Sequence, residues 1–132
     1  MRRLSLRVFK TKAFARFARR ERISDAGLCE AIRRADRGLI DADLGGGILK
    51  QRVARPGQGR SGGFWVLIAY RPGTRSVFLF GFAKSERENI DDDELATLRD
   101  VAKAWFAADA KVLERAIAEG VLQEVDYGKN EA

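Results

Sequence analysis

The run Gly62-Gly63-Phe64-Trp65-Val66-Leu67-Ile68-Ala69-Tyr70-Arg71-Pro72-Gly73-Thr74-Arg75-Ser76-Val77-Phe78-Leu79-Phe80-Gly81-Phe82-Ala83 decides the fold. Its first half is the most strand-like stretch of the chain, Pro72-Gly73 turns it, and Ser76 to Ala83 is strand-like again, so the two halves form an antiparallel hairpin. Upstream, Gly45-Gly46-Gly47 permits a sharp change of direction, after which Ile48 to Ala54 alternates and stops at Pro56-Gly57-Gln58-Gly59. Arg3 to Phe9 also alternates, with Leu4, Leu6 and Val8 on one face and Ser5 and Arg7 on the other, and reads as the first strand.

Helices flank these strands. Thr11 can cap a helix in which Phe14, Phe17 and Ala18 recur at helical spacing, with Arg16, Arg19, Arg20 and Arg22 on the other side. Ser24 or Asp25 starts a second helix with Leu28, Ile32 and Ala35 inward, ended by Gly38. Asp91-Asp92-Asp93-Glu94 caps a third, with Leu95, Leu98, Val101, Ala102, Trp105 and Phe106 inward. These acids answer the helix dipole and are not read as a metal site. A last helix from about Asp109 turns Val112, Leu113 and Ile117 inward as far as Gly120, and Leu122 to Val125 follows as a short edge strand. The expected organisation is one α+β domain over residues 1–128, two N-terminal helices and C-terminal helices on a twisted antiparallel sheet, with a frayed tail at 129–132.

Charge is unevenly distributed. The chain has 132 residues, 25 Lys and Arg against 19 Asp and Glu, and a formal net charge of +6. Between Leu44 and Ser85 there is no acidic residue, yet Lys50, Arg52, Arg55, Arg60, Arg71, Arg75 and Lys84 lie there. Such a surface, without counter-charges of its own, suits a phosphate backbone. The acidic segment after Ser85 does not suit one, and is expected against basic surface of the same fold.

Composition closes other routes. The single Cys29 excludes an internal disulfide and a cysteine-based metal cage, and reads as a small buried helix residue. With no histidine, Ser-His-Asp, Cys-His and ordinary zinc hydrolysis are excluded, so acid-base work falls to Lys, Arg, Asp, Glu or Tyr. No apolar run suits a signal peptide or a membrane span, so a cytoplasmic protein without membrane contact is expected. Gly57-Gln58-Gly59-Arg60-Ser61-Gly62 satisfies the G-x-G-x-x-G pattern, but leads into a strand instead of opening a helix, which argues against a dinucleotide site.

Lys50 and Arg52 are two apart on a strand and share a face; Arg60 lies in the adjoining loop, and Lys84 ends a strand near Arg87. Such a cluster can cleave RNA without histidine. The ribose 2′-hydroxyl is the nucleophile, a lysine of depressed pKa takes its proton, and guanidinium groups stabilise charge on phosphorus. Like-charge repulsion among the cations is the expected cause of the depression. The plain alternative is a basic sheet that binds without catalysis.

Two longer motifs narrow the choice. The run from Gly45 to Phe64, GGGILKQRVARPGQGRSGGF, and Phe80-Gly81-Phe82-Ala83-Lys84-Ser85-Glu86-Arg87-Glu88-Asn89-Ile90 closely resemble the HigB-like branch of the RelE/ParE toxin superfamily, and the likeness spans nearly the whole chain. The resemblance implies a type II toxin with an antitoxin encoded next to it, characteristically a helix-turn-helix protein. Most such relatives cut mRNA on the translating ribosome with no metal or organic cofactor; the ParE branch poisons DNA gyrase, and a catalytically degenerate homologue would only bind RNA or antitoxin.

Carried over by position, Lys50 and Arg52 match the strand pair that contacts and activates the scissile nucleotide, and Lys84 and Arg87 match basic positions at the end of the last strand. Lys50, Arg52, Arg60, Lys84 and Arg87 are thus the expected catalytic set; Arg55, Trp65 and Arg71 are the expected substrate-binding set. Where relatives typically read Gly-Gly-Tyr-Arg, this chain has Gly62-Gly63-Phe64-Trp65, so an indole that can stack on a base replaces the arginine that holds the phosphate. Ile90 stands near where relatives often carry a stacking aromatic.

Overall fold

The computed structural model describes residues 6–55, 57 and 59–128, with the side chains of 59–61 excepted. The elements are β1 (Arg7–Thr11), α1 (Lys12–Glu21), α2 (Asp25–Asp36), β2 (Ala42–Asp43), β3 (Ile48–Arg55), β4 (Gly59–Arg71), β5 (Arg75–Ala83), α3 (Asp92–Ala107), α4 (Ala110–Ala118) and β6 (Leu122–Val125). The six strands form one sheet in the order β2-β3-β4-β5-β1-β6. All pairs are antiparallel except β1 with β5, which is parallel. The architecture is α+β, as the sequence pattern implies. No described helix is long and apolar enough to cross a membrane.

The internal position of β1 has a cause. Val8 and Phe9 are both fully buried, and they point to opposite faces. Val8 joins the core under α1 and α2, and Phe9 joins the core under α3 and α4. A strand apolar on both faces belongs inside the sheet, not at its edge. The one-sided strand expected at Arg3 to Phe9 is therefore corrected to an internal strand at Arg7–Thr11, and residues 3–5 lie outside the described residues, as does the expected tail at 129–132.

Capping residues act where expected. The Thr11 hydroxyl accepts from the Phe14 amide at 3.2 Å, the Ser24 hydroxyl accepts from Gly27 at 3.1 Å, and Asp91 and Glu94 form a reciprocal capping box on α3. On α4 the Asp109 carboxylate accepts from Val112, and Leu113 and Ala116 are buried, whereas Val112 is 49% exposed. The inward position expected for Val112 is thus corrected: Leu113, Ala116 and Ile117 fill one helical stripe, which leaves Val112 roughly 100° away from Leu113. The glycine triplet has φ values of 81°, 66° and 84° at Gly45, Gly46 and Gly47, and turns β3 back on the two-residue strand β2, which alternation could not reveal.

α1 and α2 cover one face of the sheet; α3 and α4 cover the other. On the second face the packed cluster includes Ile48, Leu67, Ala69, Val77 and Leu79, with Phe80 against it. One register step further along the sheet lies the row Arg52, Trp65, Phe82, beyond this cluster, and it is there that a polar site can form.

Gly63 fixes that end of the sheet. A Cβ at Gly63 would collide with the Val53 carbonyl oxygen, a backbone atom that cannot swing aside. Gly63→Ala is expected to destabilise the fold by about 3 kcal/mol, read as a shift in denaturant midpoint at unchanged slope.

Candidate active site

Trp65 lies on the face opposite Phe64 and Val66, as strand alternation requires, and those two neighbours belong to the core under α1 and α2. Its ring is flanked by two ammonium groups. Lys50 Nζ lies 4.3 Å from the ring centroid, and Lys84 Nζ lies 5.3 Å from it. An indole face is the strongest of the aromatic partners for a cation, so the tryptophan holds two lysines that would otherwise repel each other. The indole Nε1 is itself buried without a hydrogen-bond partner.

Lys50 is the most buried of these cations, 8% exposed. Its ammonium donates to the Glu88 carbonyl and to Asn89 Oδ1, both at 2.6 Å. Burial lowers its pKa below the ordinary lysine value; the nearby Glu88 and Asp41 charges work in the opposite direction. The expected cause, repulsion by neighbouring cations, is replaced by desolvation.

The other sequence candidates are distributed as follows. Arg52 stands directly opposite Trp65 in the ladder, but its Nε is 3.3 Å from Asp41 Oδ1 and its amide donates to Asp41 Oδ2 at 2.9 Å. Arg87 lies over the Phe82 ring at 5.4 Å, with Nη2 2.7 Å from Glu94 Oε1 and Nε donating to the Asn89 carbonyl at 2.9 Å. Both are at the site and both are engaged by carboxylates. The acid-free segment therefore does have counter-charges, supplied by Asp41 and Glu21 from outside it.

Arg55 and Arg71 are not brought to the group. Arg55 sits over Phe64, 4.5 Å away, donates to the Gly62 carbonyl at 3.0 Å and approaches Glu21 at 3.9 Å; Phe64 faces the α1 and α2 core. Arg71 lies at the opposite end of β4, against Arg75, with its guanidinium 4.5 Å from the Phe106 ring. Arg60 lies on β4, and its side chain is outside the described residues. The glycine run enters β4 directly, as the argument against a dinucleotide site required.

Asn89 and Asp41 escaped the sequence reading. Asn89 stands inside the second quoted motif, but an amide in a loop carries no pattern of its own. Asp41 precedes β2, a strand of two residues that no alternation can announce.

The family model described as the RelE toxin of the RelE / RelB toxin-antitoxin system matches residues 6–125. The chain belongs to the RelE toxin family. No curated protein matches it. As a RelE toxin it is the toxic half of a toxin-antitoxin pair and has a cognate antitoxin as partner.

In this RelE toxin the Lys50 environment yields a direct test. Its amine should titrate below the usual lysine value of about 10.4, read from the side-chain carbon shifts by NMR. Asn89→Leu removes an acceptor of the charged form and should lower that pKa further. A folded pKa below the unfolded one means that the unfolded chain binds the proton more tightly, so stability should rise with pH across the window between the two values. A Lys50 titration at or above the ordinary value would show that the carbonyls outweigh burial.

Proposed function

We propose that the chain is a HigB-like RelE toxin that cuts mRNA on the ribosome. The observation that carries the reading is the pair of lysines, Lys50 and Lys84, that lie 4.3 and 5.3 Å from the Trp65 ring centroid, at an end of the sheet beyond the α3 and α4 core. It supplies two proton-transfer groups of different burial beside a surface on which a nucleobase can stack.

In the proposed reaction neutral Lys50 takes the proton of the ribose 2′-hydroxyl. The 2′-oxygen attacks phosphorus, and the bond from phosphorus to the 5′-oxygen breaks. Lys84 gives its proton to the departing 5′-oxygen, leaving a 2′,3′-cyclic phosphate and a 5′-hydroxyl. Arg52 holds the phosphate once Asp41 releases it, Arg60 adds charge from β4, and Arg87 contributes field near the leaving group. Trp65 stacks on a base adjacent to the scissile bond. The lowered Lys50 pKa supports the base role, because more of the neutral amine is present near neutral pH than in an exposed lysine. The antitoxin is expected to be a helix-turn-helix protein encoded beside this gene.

A non-catalytic binding role is the second reading. It is favoured by the two carbonyl acceptors that hold Lys50 as an ammonium and by the Asp41 carboxylate on Arg52.

Sequencing the 5′ ends of cellular transcripts after brief induction tests the reading: new ends inside translated messages are expected, and their absence would refute cleavage. Lys50→Ala should lower the cleavage rate by about 10²- to 10⁴-fold, and Arg52→Ala should lower it less, with ribosome affinity changing little in either. Equal losses of rate and affinity would favour the binding role. The wild-type rate should rise with pH until Lys50 is neutral. About four phosphate contacts on single-stranded RNA should give a log-log salt slope near −3.

A further inference from the structure

β6 is the outer strand of the sheet beside β1, paired from Val8↔Val125 to Thr11↔Leu122. The Lys12 amide donates to the Val121 carbonyl at 3.1 Å. Antiparallel alternation then turns the main-chain groups of Gln123 and Val125 inward to β1 and those of Leu122 and Glu124 outward. A groove of about 370 Å³ lies against this edge, with α1 on one side and Ile117 and Gly120 on the other. Ala15 and Leu122, both buried, give it an apolar floor.

Its rim is cationic. Lys12, Arg16 and Arg19 line the groove at the i, i+4, i+7 spacing of one helical stripe, all exposed. None of the three makes an ion pair among the described residues. The groove's acid, Glu124, is already held by Arg7 Nε at 2.9 Å. An exposed strand edge, an apolar floor and an unneutralised basic wall thus occur together.

We propose that this edge receives the cognate antitoxin, which adds an extended acidic segment to β6 as a seventh strand. The outward amides and carbonyls of Leu122 and Glu124 supply the ladder, and the α1 stripe selects acidic side chains. A nucleic acid would answer the cations but leave the main-chain edge unpaired. Four strand spacings separate β3 from β6, roughly 19 Å, so the docked segment does not reach Lys50 or Trp65. The inference rests on membership of the RelE family, which supplies the antitoxin, and not on RNA cleavage.

The experiment uses the product of the reading frame adjoining this gene, co-expressed with the full chain. In the complex, amide exchange at Leu122 and Glu124 should slow at least about tenfold relative to the free toxin. Arg16→Glu combined with Arg19→Glu should weaken the complex by about tenfold or more, and Lys50→Ala should leave its affinity unchanged. The proposal is overturned if no complex forms, if those two amides gain no protection in the wild-type complex, or if Lys50→Ala weakens binding and the double reversal does not. It is also overturned if the double reversal abolishes ribosome pelleting while sparing the complex, which would assign the stripe to RNA. A toxin that cleaves no RNA yet shows the protection would support this proposal while refuting the nuclease reading.

Discussion

The structure depends on burying β4 on both faces. Val66 and Ile68 are fully buried under α1 and α2, while Leu67 and Ala69 are buried under α3 and α4. A strand with no polar face cannot border water, so the chain must supply a helical layer on each side. That constraint leaves polar chemistry the ends and edges of the sheet. Burial of β4 stops being two-sided at Trp65, the first residue toward Gly59 on the α3 side that is only partly covered.

The same constraint distributes the charges. Acids after Ser85 neutralise basic residues close to the elements they belong to, through Arg87 with Glu94 of α3 and Arg7 with Glu114 of α4 and Glu124 of β6. Arg75, desolvated, gives its Nη1 to the Trp105 and Ala108 carbonyls at 2.6 and 2.8 Å. A guanidinium at the carbonyl-rich end of α3 compensates a helix whose last turn carries no basic residue. Arg75, although part of the acid-free segment, thus serves the fold.

Most of this fold could be read from periodicity and punctuation. The β4–β5 hairpin, the caps at Thr11 and Asp91, the helix starts near Ser24 and Asp109, the stripe of α3 and the edge strand β6 are local signals, and each is present where its residues imply. The parallel placement of β1 was hidden, because pairing between distant strands leaves no local mark. The site was legible only in part. Two-residue spacing placed Lys50 and Arg52 on one face, but sequence does not say which charges fold back onto them, so Asp41 on Arg52 and the Glu88 and Asn89 carbonyls on Lys50 became visible only in three dimensions. Arg55 and Arg71 show the converse: cationic composition grouped residues that strand length and face keep apart.

Lys50 remains the point where structure and chemistry meet. Two carbonyls and an indole face hold it in a form suited to an ammonium, while burial pushes it toward the neutral amine. Hydrogen bonds to a charged group contribute about 1.5–3 kcal/mol each, and here they oppose the desolvation that lowers the Lys50 pKa. An incoming phosphate would tip the balance toward the ammonium. The loop that covers Lys50 is itself tied down by Arg87, which bonds the Asn89 carbonyl and the Glu94 carboxylate of the α3 capping box. Movement at Asn89 is therefore coupled to the first turn of α3. The loop over Lys50 is thus tied, through Arg87, to the acids that start the helix covering the sheet.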